Sequence, residues 1–323
     1  MKQNKPAVFG FVTLGVLTVL MSAMRIFQIV WDIDRITGNL RSSAVDGIIV
    51  PITLAIVIIT GIVFYILSPE KDVDHSVIHS MPLGFCAIIF AATCVVDGVM
   101  GYLDAKDKLN TMMEEIHEVL DQASAALIGS AEFVVDVAFI AMIFSIITAI
   151  YFIWLACTYL NHKSHKYPPM FLGLCVPLWF GLKLAGDYIE LTNSPVLTEI
   201  IYDALTLSAL AIFMMAHIRL LSDICRKNTV RSNFSFGFLS VLLAIVFPVP
   251  RYFMSWVFGY SVTSSSDLSN LVNFAAAIYI VVFLVYLNKK TAEQKSVTSI
   301  PPQPPIFISN PVPTVQQNNI NNQ

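Results

Sequence analysis

The sequence predicts an all-α polytopic membrane protein, a bundle of about eight transmembrane helices. Of its 323 residues, 56% are hydrophobic and only 13% are charged, whereas soluble globular domains contain about 25% charged residues. The hydrophobic residues also lie in long runs, and a run of about 20 apolar residues is enough to cross a bilayer as a helix. These observations exclude an ordinary soluble enzyme, a disordered regulator and a coiled coil.

Eight runs are long and apolar enough to be spans. The second, fourth and eighth are the clearest: residues 137–160 hold 24 consecutive uncharged residues and residues 268–287 hold 20. The first, third, fifth and seventh contain charged residues, and the sixth is bracketed by Asp203 and Arg219. The predicted spans are residues 7–31, 47–68, 82–103, 133–160, 170–191, 199–221, 235–258 and 268–287.

The distribution of basic residues predicts the orientation. If the N-terminus is cytoplasmic, twelve Lys and Arg residues lie in the inner segments. The outer loops then hold four, which are Arg35, Arg41, Lys106 and Lys108. Since Lys and Arg accumulate on the cytoplasmic side, both termini are predicted to be cytoplasmic, which requires an even number of spans. The membrane itself is not specified by this pattern.

A cleaved signal peptide is the alternative interpretation of the first span. Two lysines precede an apolar run at residues 7–19, and small residues follow at Ser22 and Ala23. Cleavage there would leave seven spans and an external N-terminus, as in a serpentine receptor. However, the apolar run is 18 residues long before Arg25, which is longer than a typical signal-peptide core. Eight spans are therefore the preferred prediction.

The segment between the third and fourth spans, residues 104–131, is acidic and has an apolar stripe at helical spacing. This pattern predicts a short amphipathic helix that lies on the outer membrane surface or caps the bundle. A lid that gates a ligand site is the alternative function for this segment.

A tail follows the predicted transmembrane domain, which covers residues 1–290. Residues 291–323 are rich in Pro, Asn and Gln, a composition that cannot bury an apolar core. The sequence therefore predicts a disordered cytoplasmic tail, and its PxxP spacing suggests a cytosolic partner that binds proline-rich segments.

Five charged residues inside the predicted spans are the candidate ligand-binding residues. At 1.5 Å of rise per residue, Lys183 lies about 21 Å, Asp97 about 22 Å and Arg251 about 24 Å from the inner end of its span, in a hydrocarbon layer about 30 Å thick. Asp136 is expected at a similar depth, and Asp187 lies one turn beyond Lys183. All five are therefore predicted to lie in the outer third of the membrane.

These charges need partners. Lys183 and Asp187 are spaced i, i+4 and can form a local ion pair. Arg251 has no acid nearby on its own helix and needs one from another span, for which Asp97 or Asp136 is expected at the right depth. By contrast, we expect Arg25 and Glu190 to extend to the outer headgroups.

Three prolines predict distorted helices. Pro248 and Pro250 immediately precede Arg251, and Pro177 lies within the fifth span. A proline inside a helix removes a hydrogen bond and kinks the chain, which in a membrane requires a neighbouring group or water to satisfy the freed carbonyl. Broken helices next to ionic residues are typical of transporter sites.

Catalytic and metal-binding motifs are absent from the sequence. It contains no GxSxG, HExxH, GxGxxG or Walker motif, and its five cysteines show no CxxC spacing. We therefore expect no enzyme activity, no cofactor and no metal. The net charge of −3 gives no reason to expect nucleic-acid binding. His217 is expected at the inner membrane interface.

The leading functional hypothesis is the binding and transport of a small polar or amphiphilic solute through an outward-facing polar pocket. Lys183 and Arg251 would hold an anionic group, while Asp97, Asp136 and Asp187 would balance charge or relay protons. The alternative is a serpentine-type receptor or sensor that signals through the inner basic loop and the tail. The expected partners are membrane lipids, a small-molecule ligand and a cytosolic partner of the tail.

Overall fold

The computed structural model describes residues 5–32, 46–68, 80–116, 122–161, 167–191, 197–222, 228–258 and 266–298. In these ranges every regular element is an α-helix. The helices are α1 (Lys5–Asp32), α2 (Asp46–Leu67), α3 (Met81–Ile116), α4 (Gln122–Leu160), α5 (Met170–Leu191), α6 (Leu197–Leu221), α7 (Thr229–Val246), α8 (Pro248–Phe258) and α9 (Ser266–Thr298). The predicted all-α polytopic bundle is confirmed.

Seven of the described helices are long and apolar enough to cross a membrane, namely α1, α2, α3, α4, α6, α7 and α9. Helix α5 contributes a shorter apolar segment, Met170–Gly186. Each predicted span therefore corresponds to a helix, except that the seventh is divided between α7 and α8.

The packing order follows the chain. Helix α3 packs against α4, α4 against α5, α5 against α6, and α6 against α7. Helices α1 and α2 pack on α7, and α9 fills the space between α3 and α7. Apolar side chains on the outside of this bundle, such as Val19, Ile58 and Phe171, are exposed, as expected for surfaces that meet lipid tails rather than water.

The segment at 104–131 differs from its prediction as a separate surface helix. Helix α3 continues without a break to Ile116 and α4 begins at Gln122, because no proline or glycine occurs between residues 102 and 116 to end α3. A helix of 36 residues is about 54 Å long, well beyond a hydrocarbon layer of about 30 Å. The apolar stripe, including the half-buried Leu109 and Met112, is thus part of a helical hairpin that extends out of the membrane.

Helices α3 and α4 approach closely because α3 carries small residues on the facing side. A Cβ atom added to Gly84 would lie 2.7 Å from Leu160. One added to Gly98 would lie 2.7 Å from the Cβ of Ser145 and would collide with its Oγ. Small residues let helix backbones approach within a membrane, where the packing of atoms rather than the exclusion of water drives association.

The predicted distortion at Pro248 is confirmed. Helix α7 ends at Val246, Phe247 forms a turn, and α8 begins at Pro248. Phe247 still donates its N–H to the Leu243 carbonyl at 3.3 Å, but Pro248 and Pro250 have no N–H to donate. By contrast, α5 passes through Pro177 without interruption, because a single proline removes one hydrogen bond rather than two in succession.

The sequence prediction starts the tail too early, at residue 291. Helix α9 continues to Thr298, since the first proline after the eighth span is Pro301. The remaining predicted tail, residues 299–323, lies outside the described residues.

Replacing Gly98 with alanine is expected to destabilise the protein. The new methyl group would force α3 and α4 apart at Ser145, at a cost of about 1–3 kcal/mol. Thermal unfolding in detergent, followed by the loss of the monodisperse size-exclusion peak, measures the effect.

Gly101→Ala is the matched control, because nothing lies within 4 Å of a Cβ atom added there and alanine favours helix by about 1 kcal/mol over glycine. The double variant Gly98→Ala/Ser145→Gly should regain stability. If Gly98→Ala unfolds no earlier than Gly101→Ala, close approach of α3 and α4 at this point is not required.

Candidate functional site

A buried ion pair joins α5 to α3. The Nζ atom of Lys183 lies 2.6 Å from Oδ2 of Asp97, and the two side chains are 14% and 7% exposed. The ammonium group also lies 5.4 Å from the ring centroid of Trp179, one turn earlier on α5, within the range of a cation–π interaction. Lys183 thus pairs with Asp97 of another helix. The sequence suggested Asp187 as a local partner of Lys183, and Asp97 or Asp136 as the partner of Arg251; both suggestions involve a side chain that lies outside the described part of the structure.

The ion pair connects two helices, α3 and α5, that both pack against a third helix, α4. Helices α3 and α5 each pack along α4, and the long stem of Lys183 reaches Asp97 from α5. Asp97 itself is fixed by the residue after it, because Gly98 holds this turn of α3 against Ser145 of α4. Two charges removed from water are tolerable only when they neutralise each other. The ion pair therefore links two helices, α3 and α5, that each pack against α4.

Asp136 does not lie at the depth of Asp97. Gly98 faces Ser145, and the Tyr102 and Phe139 rings are 5.6 Å apart. In an antiparallel hairpin with this register, Asp136 lies opposite residue 105, about 12 Å further from the membrane centre than Asp97. The expectation of a similar depth is wrong because, in this register, the turn of α3 that carries Asp97 lies opposite Ser145, nine residues after Asp136. Asp136 is exposed on the outer part of the hairpin.

The two remaining candidates are placed by their backbones alone. Asp187 lies one turn beyond Lys183 on α5, and Arg251 is the fourth residue of α8. Their side chains lie outside the described part of the structure, so their roles stay predictions. The structure therefore brings two of the five candidates together, Asp97 and Lys183.

A second polar cluster was missed by the sequence analysis. Arg25 is only 3% exposed, so the expectation that it extends to the headgroups is wrong. Its Nη1 donates to Oε1 of Gln28 at 2.8 Å, and Tyr202 of α6 donates its hydroxyl to the same oxygen at 3.3 Å. The guanidinium carbon lies 4.6 Å from the Tyr202 ring centroid, and this ring stacks on Phe247 at the break between α7 and α8, with centroids 4.2 Å apart.

The sequence did carry a signal for this cluster. Arg25 and Gln28 are spaced i, i+3 on α1, so both lie on one helix face. A polar pair on one face of a transmembrane helix is more consistent with the interior of the bundle than with the headgroups.

A third polar cluster closes the opposite end of the bundle. His217 is fully buried, so its side chain faces the interior of the bundle. Its Nε2 lies 2.9 Å from the hydroxyl of Tyr279 on α9, and that hydroxyl lies 3.5 Å from the hydroxyl of Tyr159, near the end of α4. The imidazole ring packs between Phe213 and Phe283. These contacts join α4, α6 and α9 through aromatic side chains.

Among the described residues, no group of three or more His, Cys, Asp or Glu side chains is arranged to hold a metal ion. Comparison of the chain with protein-family models, curated proteins and solved structures finds no match. The functional argument therefore rests on the polar clusters themselves.

Removing only one of the two charges of the Lys183–Asp97 pair is expected to destabilise the protein. Asp97→Asn or Lys183→Met alone leaves one buried charge without its partner, which should lower the free energy of unfolding by about 3–5 kcal/mol. The double variant Asp97→Asn/Lys183→Met should recover much of the loss, because neither charge then remains. Thermal unfolding in detergent of the four proteins forms the double-mutant cycle.

The chain offers a matched control on the same helix. Lys108 lies 3.2 Å from Asp104, but both side chains are nearly half exposed, and exposed pairs contribute about 0–1 kcal/mol. Asp104→Asn should therefore leave stability almost unchanged. Additive losses in the Asp97/Lys183 cycle would show that the two side chains are not coupled.

Proposed function

We propose that this multi-pass membrane protein binds and transports a small polar or amphiphilic solute, with the Lys183–Asp97 pair at the centre of its pathway. The observation that carries the proposal is the pair itself. It is largely buried between α3 and α5, and Nζ of Lys183 lies 2.6 Å from Oδ2 of Asp97. A buried ion pair often stabilises a fold no better than apolar residues of the same volume. Ionisable residues inside a membrane instead mark solute, ion or proton pathways.

The arrangement supports binding of the solute by exchange of the counterion of Lys183. An anionic group on the solute can replace Asp97 as the counterion of Lys183, and Trp179 offers an apolar surface beside the same ammonium. Asp97 then becomes free to bind a proton or a cationic group of the solute. Arg251 and Asp187 would extend this polar layer, and Asp136 would lie at its outer entrance. No covalent change of the solute is involved, so we expect no enzyme activity.

The broken seventh span supports movement. Discontinuous helices are a common device of transporters, in which short helical segments move relative to a packed bundle. Helix α8 packs on α1 and is joined to α7 by the single turn at Phe247. A change in the angle between α7 and α8 would move α1 and the Arg25 cluster with it.

Transport can be tested without knowing the solute. Proteoliposomes that contain the wild-type protein are incubated with a polar extract of cells, washed, and their contents compared by mass spectrometry with those of protein-free vesicles. We expect at least one polar or amphiphilic compound to accumulate in the wild-type vesicles. Asp97→Asn/Lys183→Met should abolish this accumulation, because it removes the charges with little loss of stability.

The matched control for transport is Asp104→Asn/Lys108→Gln, which removes an exposed ion pair from the same helix and should retain accumulation. Equal accumulation by the buried-pair and exposed-pair variants would contradict a role for Lys183 and Asp97. Absence of any accumulated compound in wild-type vesicles, when the reconstituted protein is folded, would contradict transport of such solutes.

We further propose that both termini lie in the cytoplasm, as the excess of basic residues predicts. Epitope tags at the N-terminus, at the C-terminus and between residues 116 and 122 would be followed by protease digestion of sealed microsomes. The terminal tags should be digested and the internal tag protected. Loss of the N-terminal tag from the mature protein, which cleavage of a signal peptide would cause, would instead support the seven-span alternative.

A further inference from the structure

Two buried asparagines of α9 carry polar atoms without hydrogen-bond partners. Asn270 and Asn273 are each only 3% exposed. Neither Nδ2 of Asn270 nor Oδ1 of Asn273 has a hydrogen-bond partner in the described part of the chain. Removing such a group from water without giving it a new partner is unfavourable. Unsatisfied groups of this kind are uncommon in folded proteins, and they need an explanation other than stability.

The packing of α9 against α7 places both asparagines at the break between α7 and α8. A Cβ atom added to Gly237 of α7 would lie 2.9 Å from Leu284 of α9. Asn273 precedes Leu284 by eleven residues, or about three helical turns, so both lie on one stripe of α9. Because these consecutive spans run antiparallel, Asn273 lies opposite Pro248, which follows Gly237 by the same eleven residues. We call this region, residues 270–273 and 247–250, the outer seam.

The other side of the outer seam also has polar groups that lack their usual partners. Pro248 and Pro250 have no N–H, so the carbonyls of Ala244 and Val246 do not receive the hydrogen bonds that a continuous helix would give them. Ala244 and Val246 are 0% and 1% exposed. Carbonyls freed within a membrane are tolerated where neighbouring groups or water can satisfy them. Water that entered the outer seam would therefore benefit both of its sides.

Before the break, polar side chains of α7 are used to hold the bundle together. Asn233 donates its Nδ2 to the carbonyl of Ala216 on α6 at 2.9 Å. Ser240 donates its hydroxyl to the carbonyl of Ala209, also on α6, at 2.9 Å. These hydrogen bonds fix α7 to α6 over most of its length. After the break, α8 packs on α1 and on the end of α7.

The outer seam lies at the depth of the Lys183–Asp97 pair. The Phe90 ring of α3 stacks on the Tyr279 ring of α9, with centroids 6.2 Å apart. Helices α3 and α9 are the third and eighth spans and therefore run antiparallel. Two turns, or seven residues, lead from Phe90 to Asp97 on α3 and from Tyr279 back to the residue before Asn273 on α9. An opening along the outer seam would therefore reach the depth of the ion pair.

We infer that the outer seam is the entrance of the solute pathway, and that Asn270 and Asn273 line it when α8 moves away from α9. Water, or polar groups of the solute, then satisfy the two carboxamides. A carboxamide both donates and accepts hydrogen bonds without carrying a charge, so this entrance suits a solute with hydroxyl or amide groups besides the anionic group that binds Lys183. The inference rests on the proposed transport function and adds the residues that form its entrance.

The reactivity of introduced cysteines tests the entrance without knowledge of the solute. Asn270→Cys and Asn273→Cys are prepared in the full-length protein in detergent and treated with a charged, water-soluble methanethiosulfonate reagent. Peptide mass spectrometry gives the rate of modification at each position and separates it from that of the native cysteines. We expect each asparagine variant that folds to react at least tenfold faster than two control variants, because the opening of the outer seam admits water to these positions.

The two controls are Ala277→Cys and Phe274→Cys. Ala277 is 1% exposed and lies one turn from Asn273 on the same stripe of α9, at the level of α7 before the break, so it should stay closed. Phe274 is 42% exposed on the outside of the bundle, where a charged reagent does not enter the apolar phase. In proteoliposomes, the group attached at Asn273→Cys should lower accumulation of the solute at least fivefold.

Three results would overturn the inference. One is that neither asparagine variant reacts faster than Ala277→Cys, and another is that all four variants react equally fast, which would show a general hydration of α9. The third is unchanged accumulation by modified Asn273→Cys. Slow reaction together with accumulation in wild-type vesicles removes the entrance alone. Fast reaction without any accumulation in wild-type vesicles contradicts the proposed transport instead.

Discussion

The high cost of an uncompensated charge in a low-dielectric interior is the constraint on which this structure depends. Lys183 and Asp97 satisfy it by pairing across the gap between α5 and α3. Arg25 satisfies it in part through neutral groups, the amide of Gln28 and the aromatic face of Tyr202. In both places the buried charge determines which helices must be neighbours. These two sites therefore constrain the packing of the helices that contribute to them.

Small and aromatic residues make those charge contacts possible. Gly98 allows α3 to approach α4 closely, and this approach fixes the position of the neighbouring Asp97. On the other side of the bundle, the Tyr202 ring lies between the Arg25 guanidinium and the Phe247 ring. Close approach of the helix backbones and aromatic stacking thus position the polar groups. Loss of either would first disrupt the contacts of the charged side chains.

The sequence predicted the helical bundle and the positions of its long apolar helices, because the lengths of apolar runs are a direct consequence of bilayer thickness. It also placed Asp97 and Lys183 at nearly the same depth, and the two residues form an ion pair. Depth in the membrane, however, is only one of the two coordinates that locate a side chain. The other is the rotation of its helix, which decides whether the side chain faces the bundle or the lipid. Arg25 and His217 were assigned to the interface from depth alone, whereas the structure shows both side chains directed into the bundle.

Helix boundaries limited the prediction in a second way. The depth of Asp136 was counted from the start of its apolar run, whereas the register between α3 and α4 places it about two helical turns beyond Asp97 along the hairpin. Hydropathy shows where a helix enters the hydrocarbon, whereas helix ends depend on prolines, glycines and capping residues. The same distinction explains the eleven further residues of α9, which continue after the apolar run has ended at residue 287.

The two ends of the bundle differ in chemistry, and this difference has a functional consequence. At one end, which the predicted orientation places in the cytoplasm, His217, Tyr279 and Tyr159 join α6, α9 and α4 through buried aromatic contacts. Towards the other end lie the Lys183–Asp97 pair and the Arg25 cluster, beside a helix that is broken at Phe247. A solute pathway that opens alternately to the two sides needs one closed end and one end that can separate. In the transport that we propose, the polar and aromatic contacts around His217 would form the closed end, and the charges whose partners an anionic solute could replace would form the separable end.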